Sequence, residues 1–184
     1  MCMNKVVSPN QTGFIPSRNF QENIIVAQEL LHNMNKLKGK NEYFTIKVDL
    51  AKAYDMLNWK YVEEVLKKMC IPQNLTCIIM PTITIVNMRV IWNGQRGDYF
   101  KLKKGFHQGY LISPYLFFLC IDKLSHMIMD VVDKKELECM KVGRRGPRIS
   151  HFMFANDLIL FGKATEQQVT CIMKVLKKFC EVSG

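Results

Sequence analysis

The sequence predicts a mixed α/β (α+β) fold, and three observations lead to this prediction. Apolar residues recur at helical spacing in several segments, whereas residues 43–49 alternate between apolar and polar side chains as a half-buried strand does. Two short apolar runs, 152–155 and 158–161, are separated only by Asn156 and Asp157, which is a strong hairpin signal. Helices and strands therefore alternate along one chain and are expected to pack in mixed layers.

The N-terminal part is predicted to contain one helix and one strand. The helix covers residues 21–38, and Gly39 is placed to end it. In the strand at 43–49, successive side chains point to opposite faces. Asp49 is therefore predicted to lie on the solvent-exposed face, at the end of this strand.

The middle of the chain is predicted to form a helix followed by two strands. The apolar spacing at 62–69 predicts the helix, and Pro72 stops it. Residues 82–92 and 98–103 are expected to be strands, with Asn-Gly at 93–94 among the turn residues.

The C-terminal part is predicted to contain one helix before the hairpin in the sequence and one helix after it. Ser113 followed by Pro114 has the pattern of an N-cap and a first helical position. Thr165 and Gln168 have the spacing of a capping box, which predicts the last helix.

Composition narrows the class of protein. Of 184 residues, 48% are hydrophobic and 23% are charged, which excludes disordered, collagen-like and low-complexity chains. No apolar run approaches the roughly 20 residues needed to cross a bilayer, and the N-terminus lacks an apolar signal core. We expect a soluble intracellular protein, nuclear or cytoplasmic, that is not secreted and has no membrane partner.

Charge and cysteine usage bear on partners and compartment. Lys and Arg number 26 against 16 Asp and Glu, a formal charge of +10 that favours nucleic acid as a partner, although solvated surface lysines are the alternative. Seven cysteines without a C-x-x-C pair are expected to be free thiols in a reducing compartment. The four histidines are scattered, so we expect surface or helix-packing roles for them and no zinc or hydrolase site.

Asp49 and Asp157 are the candidate metal ligands. A carboxylate at a strand end and another at a hairpin tip suit a metal site on a sheet, provided that the two elements lie side by side. Spacing alone does not show that they do. Exposed aspartates at such positions mostly form local turns, so the pattern by itself leaves both interpretations open.

Six segments of the chain form an ordered set of motifs: QTGFIPSR (11–18), KVDLAKAYD (47–55), NG (93–94), GFHQG (105–109), SPYLF (113–117) and FANDL (154–158). Taken in this order, they resemble the reverse transcriptase domain of non-LTR, LINE-type retrotransposons, especially those of plant genomes. The resemblance covers nearly the whole chain from about Val7, and the motifs are specific when taken together.

The resemblance implies the fingers and palm of a right-hand polymerase, with an antiparallel palm sheet backed by the helices near Ser113 and Thr165. Thumb, endonuclease and RNase H segments are not found, so a fingers-palm fragment with Met1 as an internal start is expected. The implied divisions are N-terminal fingers at 1–44, a palm strand at 45–57, further fingers at 58–103 and palm at 104–184.

The resemblance also implies nucleotidyl transfer from a dNTP onto a DNA primer, on an RNA or DNA template, with two Mg²⁺ ions. Asp49 corresponds to the palm aspartate that binds both ions, the carbonyl of Leu50 is the neighbouring ligand, and Asp157 completes the metal set, while Asn156 occupies a catalytic position. The residues that correspond to nucleotide-binding positions are Arg18, Lys52, Ala53, Tyr54, Gln108 and Gly109.

Three of these motif residues keep a structural alternative. Tyr54 corresponds to the aromatic residue under the sugar, but a half-buried core tyrosine has the same pattern. Arg18 has the guanidinium fork that suits phosphate oxygens, and a surface salt bridge is its alternative. Asp55 corresponds to a recurrent family aspartate, or it caps the helix that starts near Asn58.

This chain departs from the family at the hairpin tip, where Asn156 stands in place of the first of two aspartates. An amide brings no charge, so two carboxylates face two dications where the family offers three. A lost ligand worth roughly 3 to 4 kcal/mol slows the reaction by about two to three orders of magnitude. Tyr110 and Leu111 replace the usual Asp-Pro, and His107 replaces a usual arginine.

We therefore expect a degenerate polymerase that is weak or inactive. The alternatives are a noncatalytic nucleic-acid-binding remnant, a translated remnant without function, and a single-copy change in a competent element.

Overall fold

The computed structural model describes residues 7–12, 18–36, 42–107, 109–142 and 146–184. These residues belong to two compact units: a sheet unit, Met1–Ala51 with Ile121–Glu181, and a ribbon unit, Lys52–Cys120 with Val182–Gly184. A division of the chain into compact units does not test a division into polymerase subdomains, so the boundaries of the fingers and palm stay predictions.

The elements are helices α1 (Phe20–Lys36), α2 (Ala53–Met56), α3 (Trp59–Lys68), α4 (Gln73–Thr84), α5 (Ser113–Asp133) and α6 (Glu166–Ser183), and strands β1 (Tyr43–Asp49), β2 (Asn87–Met88), β3 (Ile91–Trp92), β4 (Gln95–Arg96), β5 (Phe100–Lys101), β6 (Met140–Lys141), β7 (Arg148–Ile149), β8 (His151–Phe154) and β9 (Asp157–Lys163). Gly39, the expected end of α1, lies outside the described residues.

A three-stranded antiparallel sheet forms the centre of the sheet unit, in the order β1, β9, β8. β1 pairs with β9 along its whole length, from Tyr43 opposite Lys163 to Asp49 opposite Asp157. β8 pairs with the other edge of β9 through a tight hairpin. The predicted antiparallel sheet and the strand at 43–49 are confirmed.

Helices cover both faces of this sheet. On one face, α1 packs against Phe152 and Phe161. On the other face, Leu160 meets Ile128 of α5 and Ile172 of α6 around one small gap. Because β8 and β9 are covered on both sides, their side chains are mostly apolar, as buried strands require.

A buried polar network attaches residues 7–12 to the sheet. The Ser125 hydroxyl lies 2.7 Å from His151 Nε2, and the Ser150 hydroxyl lies 2.8 Å from its Nδ1. The Ser8 hydroxyl lies 2.9 Å from that of Ser125. Of the two roles expected for the histidines, a surface position is wrong for His151, which is fully buried in β8, whereas packing against a helix is confirmed by its contact with Ser125 of α5. Burial lowers the pKa of His151 to about 4, so the ring is neutral.

Helix α4 is the main correction to the predicted elements, because residues 82–84 complete it where the sequence predicts a strand. Thr-Ile-Thr is β-branched and locally favours a strand. In the structure, the hydroxyls of Thr82 and Thr84 instead donate to carbonyls of the preceding turn at 2.6 and 3.0 Å, and Ile83 is buried. Burial of the helix face thus overrides the local preference, and only short strand pairs follow.

Three helix starts also differ from the sequence prediction. Ser113 is the first helical residue of α5 rather than its N-cap. The cap of α3 is Asn58, whose side chain accepts the amide of the second helical residue, so Asp55 does not cap this helix. At α6 half of the predicted capping box is present, because the Gln168 amide donates to the Thr165 hydroxyl at 3.4 Å. The Gln168 side chain, however, bonds to the backbone between α5 and β6 rather than reaching back to Thr165.

Hydrogen bonds from aromatic side chains stabilise the ribbon unit. The Tyr61 hydroxyl donates to the Cys120 carbonyl at 2.8 Å, and Trp59 Nε1 donates to the Gly105 carbonyl at 2.8 Å. At Gly105 the backbone approaches Asp55 so closely that a Cβ would lie 2.6 Å from its carbonyl oxygen. With φ at +80°, this position requires glycine.

Within the described ranges, no helix has both the length and the apolar character needed to span a membrane. The six cysteines placed by the structure form no disulfide with one another.

Candidate active site

The two candidate aspartates face each other at one end of the β1–β9 pair. Asp49 is the last residue of β1, Asp157 is the first residue of β9, and the two are directly opposite in the register. Residues directly opposite in an antiparallel pair project to the same face of the sheet. The structure therefore brings together two carboxylates that are 108 positions apart in the sequence.

The hairpin is confirmed, but its two-residue turn is Ala155-Asn156, one residue earlier than predicted. Phe154 pairs with Asp157, so Asp157 belongs to the strand rather than to the tip. Ala155 has a φ of 53°, and a positive φ at the first turn position suits the twist of a tight hairpin. The separate pairing of β9 with β1 aligns Asp157 with Asp49.

Asn156 closes the site by direct hydrogen bonding. Its Nδ2 donates to Oδ1 of Asp49 at 3.0 Å, and its carbonyl accepts the amide of Leu50 at 3.2 Å. The side chain thus acts here as a donor to a carboxylate and not as an oxygen ligand. An aspartate at this position would instead place two like charges at hydrogen-bond distance.

Lys47 is the contact that sequence reasoning missed. Its ammonium lies 3.1 Å from Oδ1 of Asp157, in an ion pair between half-exposed and exposed side chains. The available signal was the strand alternation, which puts Lys47 on the same face as Asp49, two residues along β1. A cation beside the site lowers the local negative charge that attracts a metal ion.

The donor set fits one divalent cation better than two. The carboxylates of Asp49 and Asp157 and the backbone carbonyl of Leu50 are hard oxygen ligands of the kind Mg²⁺ prefers. Among the residues that the structure describes, no group of three or more His, Cys, Asp or Glu side chains is arranged to hold a metal ion. A bound cation must also compete with the Asn156 amide for Oδ1 of Asp49 and with the Lys47 ammonium for Oδ1 of Asp157.

An apolar groove of about 270 Å³ opens beside this site, between α1 and the sheet. Ile24 and Leu31 of α1 form one wall, and Phe152 and Ile159 line the other. Asp157 lies among the lining residues, so the carboxylate is accessible to solvent along this face.

The nucleotide residues implied by the resemblance lie partly in the ribbon unit. Lys52 is exposed and has a left-handed φ of 52°, immediately before the half-buried Ala53. Gly109 is exposed with φ at +99° and open space around its Cα, so the backbone there is accessible. Gln108 lies outside the described residues.

Tyr54 packs in an aromatic cluster. Its ring stacks on Phe117 with centroids 4.0 Å apart and meets Phe106 edge to face at 6.5 Å. Partial burial raises the pKa of Tyr54, so the phenol stays neutral. This packing fits the structural alternative, and the role of Tyr54 under a sugar stays a prediction.

Arg18 is engaged by backbone carbonyls. Its guanidinium donates to the carbonyls of Val7, Ser8 and Gln11, at 2.8 Å for Val7 and 2.5 Å for Gln11. Arg18 thereby braces the segment before α1. Its predicted role in triphosphate binding stays a prediction.

The sequence profile of the family described as "Reverse transcriptase (RNA-dependent DNA polymerase)" matches residues 1–184. The chain belongs to this reverse transcriptase family. The family generally uses divalent metal ions, which agrees with the carboxylate chemistry at the β1–β9 end.

Three curated relatives resemble this reverse transcriptase domain. It is 25% identical over 138 residues to the retrovirus-related Pol polyprotein from type-1 retrotransposable element R2 of Popillia japonica, covering 75% of this chain and 22% of the relative. It is 24% identical over 155 residues to the type-2 element R2DM polyprotein of Drosophila melanogaster, covering 84% and 14%. An uncharacterized mitochondrial protein of Arabidopsis thaliana is 39% identical over 54 residues, or 29% and 44%.

The resemblance to non-LTR retrotransposon reverse transcriptases is thereby confirmed. The chain spans less than half the length of each of these relatives.

Solved telomerases share the fold. Apo telomerase from Candida tropicalis, truncated from its C-terminal domain, superposes with a TM-score of 0.64 at 14% identity, over 93% of this chain and 34% of that one. Telomerase from Candida albicans, in complex with a fragment of telomeric RNA, gives 0.66 at 12% identity, over 90% and 28%. At such identities the likeness concerns the fold alone, and it confirms the fingers-palm fold of a right-hand polymerase.

Proposed function

We propose that this chain is the fingers-palm part of an RNA-directed DNA polymerase of LINE type, in which two-metal nucleotidyl transfer is weak or absent. The observation that carries the proposal is the hydrogen bond from Asn156 to Asp49, which occupies a metal-ligand oxygen at the end of the β1–β9 pair. The substrates would be dNTPs and a DNA primer on an RNA or DNA template, and the formal charge of +10 suits such polyanions.

The chain's own residues define what the site can do. Asp49, Asp157 and the Leu50 carbonyl would hold Mg²⁺, which when bound stabilises the attacking and leaving oxygens of the transfer. Lys47 offsets one of the two negative charges, because its ammonium pairs with Asp157. Asn156 contributes no charge, so the ligand set has a lower affinity for a second cation than three carboxylates would have.

The remaining assignments belong to the same proposal. Lys52 and Arg18 are cations for the triphosphate, Tyr54 is the aromatic under the sugar, and Gly109 with its neighbour Gln108 contacts the nucleotide through backbone and amide groups.

Primer extension tests the proposal. The chain, its Asn156→Asp variant and an Asp49→Asn control are incubated with a primed RNA template, dNTPs and MgCl₂. We expect extension by Asn156→Asp to exceed that of the unmodified chain by about two to three orders of magnitude. The Asp49→Asn control should not extend the primer, because it removes the shared carboxylate.

The other outcomes are informative in opposite directions. Equal extension by the unmodified chain and by Asn156→Asp would show that the site is competent. The prediction that Asn156 impairs catalysis would then be wrong. No extension by any variant would contradict nucleotidyl transfer by this chain and leave nucleic-acid binding as the function to measure.

A further inference from the structure

The segment from 87 to 101 forms a narrow two-stranded ribbon in the ribbon unit. β2 pairs with β5, and β3 pairs with β4. The turn is Asn93-Gly94, with φ values of 49° and 78°, as the expected type I′ turn requires. From the β2–β5 pair to the β3–β4 pair there are three residue steps on one strand, Met88 to Ile91, and four on the other, Arg96 to Phe100. The extra residue is a one-residue bulge.

This ribbon exposes large apolar side chains on both faces. Trp92 is 81% exposed and Tyr99 is 66% exposed, and Val90 and Ile91 are more than half exposed. A two-stranded ribbon with no buried face is marginally stable by itself. Exposed aromatic residues grouped in this way are typical of a surface that binds a partner.

The charge of the same segment is strongly positive. Between residues 85 and 104 there are five cations and one acid, Asp98. The cations are Arg89, Arg96, Lys101, Lys103 and Lys104. All five are exposed, so their charge complements a polyanion.

One aromatic ring of the ribbon is in contact with a cation, and another is uncovered. The Arg89 guanidinium lies 5.0 Å above the Tyr99 ring, in a cation-π pair that holds both flat groups in place. Trp92, next to the turn, has no covering side chain of comparable size, and its cross-strand partner is Gln95. Its ring is thus accessible to another flat ring.

We propose that this ribbon is a binding platform for single-stranded nucleic acid, with one base stacking on Trp92 and with Arg96 and the neighbouring lysines contacting phosphates. Arg96 is opposite Ile91 in the register and therefore lies on the other face from Trp92, so the bound strand passes around the edge of the two-stranded ribbon to reach both. Stacking platforms of this type combine exposed aromatics with a cationic track and tolerate many sequences. An apolar protein partner would not use the five cations, so charge favours the nucleic acid. The proposal extends the proposed function to template binding, but it concerns binding alone.

The test measures binding of the full chain to a labelled oligothymidylate by fluorescence anisotropy, in EDTA and without dNTPs. A failure of polymerisation therefore does not affect the readout. An abasic oligonucleotide with the same number of phosphates separates stacking from charge. Ile78→Ala is the matched control, because Ile78 is 65% exposed on α4 of the same unit and lies outside the ribbon.

We expect Trp92→Ala to weaken oligothymidylate binding by about 5- to 100-fold and to leave abasic binding unchanged. Trp92→Phe should retain most of the affinity. Arg96→Gln should weaken binding to both oligonucleotides and reduce the salt dependence by about 0.7 in log-log slope, whereas the exposed Lys68→Gln on α3 should not. Trp59 is the only other tryptophan, so its emission reports whether the Trp92 variants remain folded.

Three results would overturn the proposal. If Trp92→Ala and Ile78→Ala bind oligothymidylate with equal affinity, base stacking on Trp92 makes no contribution to binding. Equal affinity of the unmodified chain for the thymidylate and abasic oligonucleotides would reduce the interaction to charge. A change in sedimentation with Trp92→Ala, without a change in oligonucleotide binding, would identify the ribbon as a contact between copies of this chain.

Discussion

Replacing Asn156 by aspartate should make the stability of this protein depend on a divalent cation. In the structure, Nδ2 of Asn156 donates to Asp49 at 3.0 Å, so the turn is closed without a metal ion. The Asn156→Asp variant loses this donor and adds a third carboxylate beside Asp49 and Asp157. Without a cation, these like charges repel one another.

The magnitude follows from two contributions. A hydrogen bond to a charged acceptor contributes about 1.5 to 3 kcal/mol when buried, and since Asp49 is exposed the lower part of that range applies. Two unit charges about 4 Å apart repel by about 1 kcal/mol in water and about 4 kcal/mol near a protein surface. Because Asp49 is exposed, the lower value of each contribution applies, and together they predict a loss of about 2.5 kcal/mol in the free energy of unfolding in EDTA.

Mg²⁺ should restore much of this loss. A cation present at ten times its dissociation constant stabilises the folded state by about 1.4 kcal/mol. It also screens the repulsion between the carboxylates. The unmodified chain should gain less, because it offers one carboxylate fewer and its cation competes with the Asn156 amide and the Lys47 ammonium.

Urea unfolding, followed by circular dichroism in EDTA and in MgCl₂, measures these differences. Asn156→Ala is the control, since it removes the hydrogen bond without adding charge and should show no larger Mg²⁺ effect than the unmodified chain. The reasoning is refuted if Asn156→Asp is as stable as the unmodified chain in EDTA. It is equally refuted if all three proteins gain the same stability from Mg²⁺.

Three further predictions concern stability and reactivity. Burial lowers the pKa of His151 from 6.5 to about 4, so between these pH values the unfolded chain binds a proton that the folded chain does not. The free energy of unfolding should therefore be at its full value above pH 6.5 and fall by up to about 3 kcal/mol towards pH 4. Urea unfolding of His151→Gln should show a smaller dependence on pH. Gly105→Ala should cost more than 2 kcal/mol, whereas Gly94→Ala, which has a positive φ but open space, should cost about 1 kcal/mol, as thermal melts of the two variants would show. Burial raises the pKa of Cys120 to about 12, so mass spectrometry after native alkylation should find iodoacetamide on exposed Cys70 and none on Cys120.

Several features of the fold could be predicted because their signals are local. The alternation at 43–49, the Asn-Gly turn and the hairpin near residue 156 each arise from neighbouring residues, and each is present in the structure. Where the strand prediction failed, burial decided the outcome, because Thr82 and Thr84 are helical in a helix that buries Ile83. The one-residue shift of the hairpin turn is a local miss, since it follows from the pairing of Phe154 with Asp157.

The candidate site shows the same division. The sequence alone identified Asp49 and Asp157 as candidates, and the motif order identified the polymerase family to which the profile match also assigns the chain. The sequence also showed that Asn156, an uncharged residue, stands where the resemblance implies an aspartate.

Only the tertiary structure decided how these groups are used. Asn156 donates to Asp49, Lys47 pairs with Asp157, and Trp92 is exposed beside cations rather than buried. The physical reason is that residue type determines which bonds and charges a side chain can offer, whereas sheet register and burial determine which partner it meets. That partner sets whether an amide at the site acts as a ligand or as a hydrogen-bond donor that keeps the site closed.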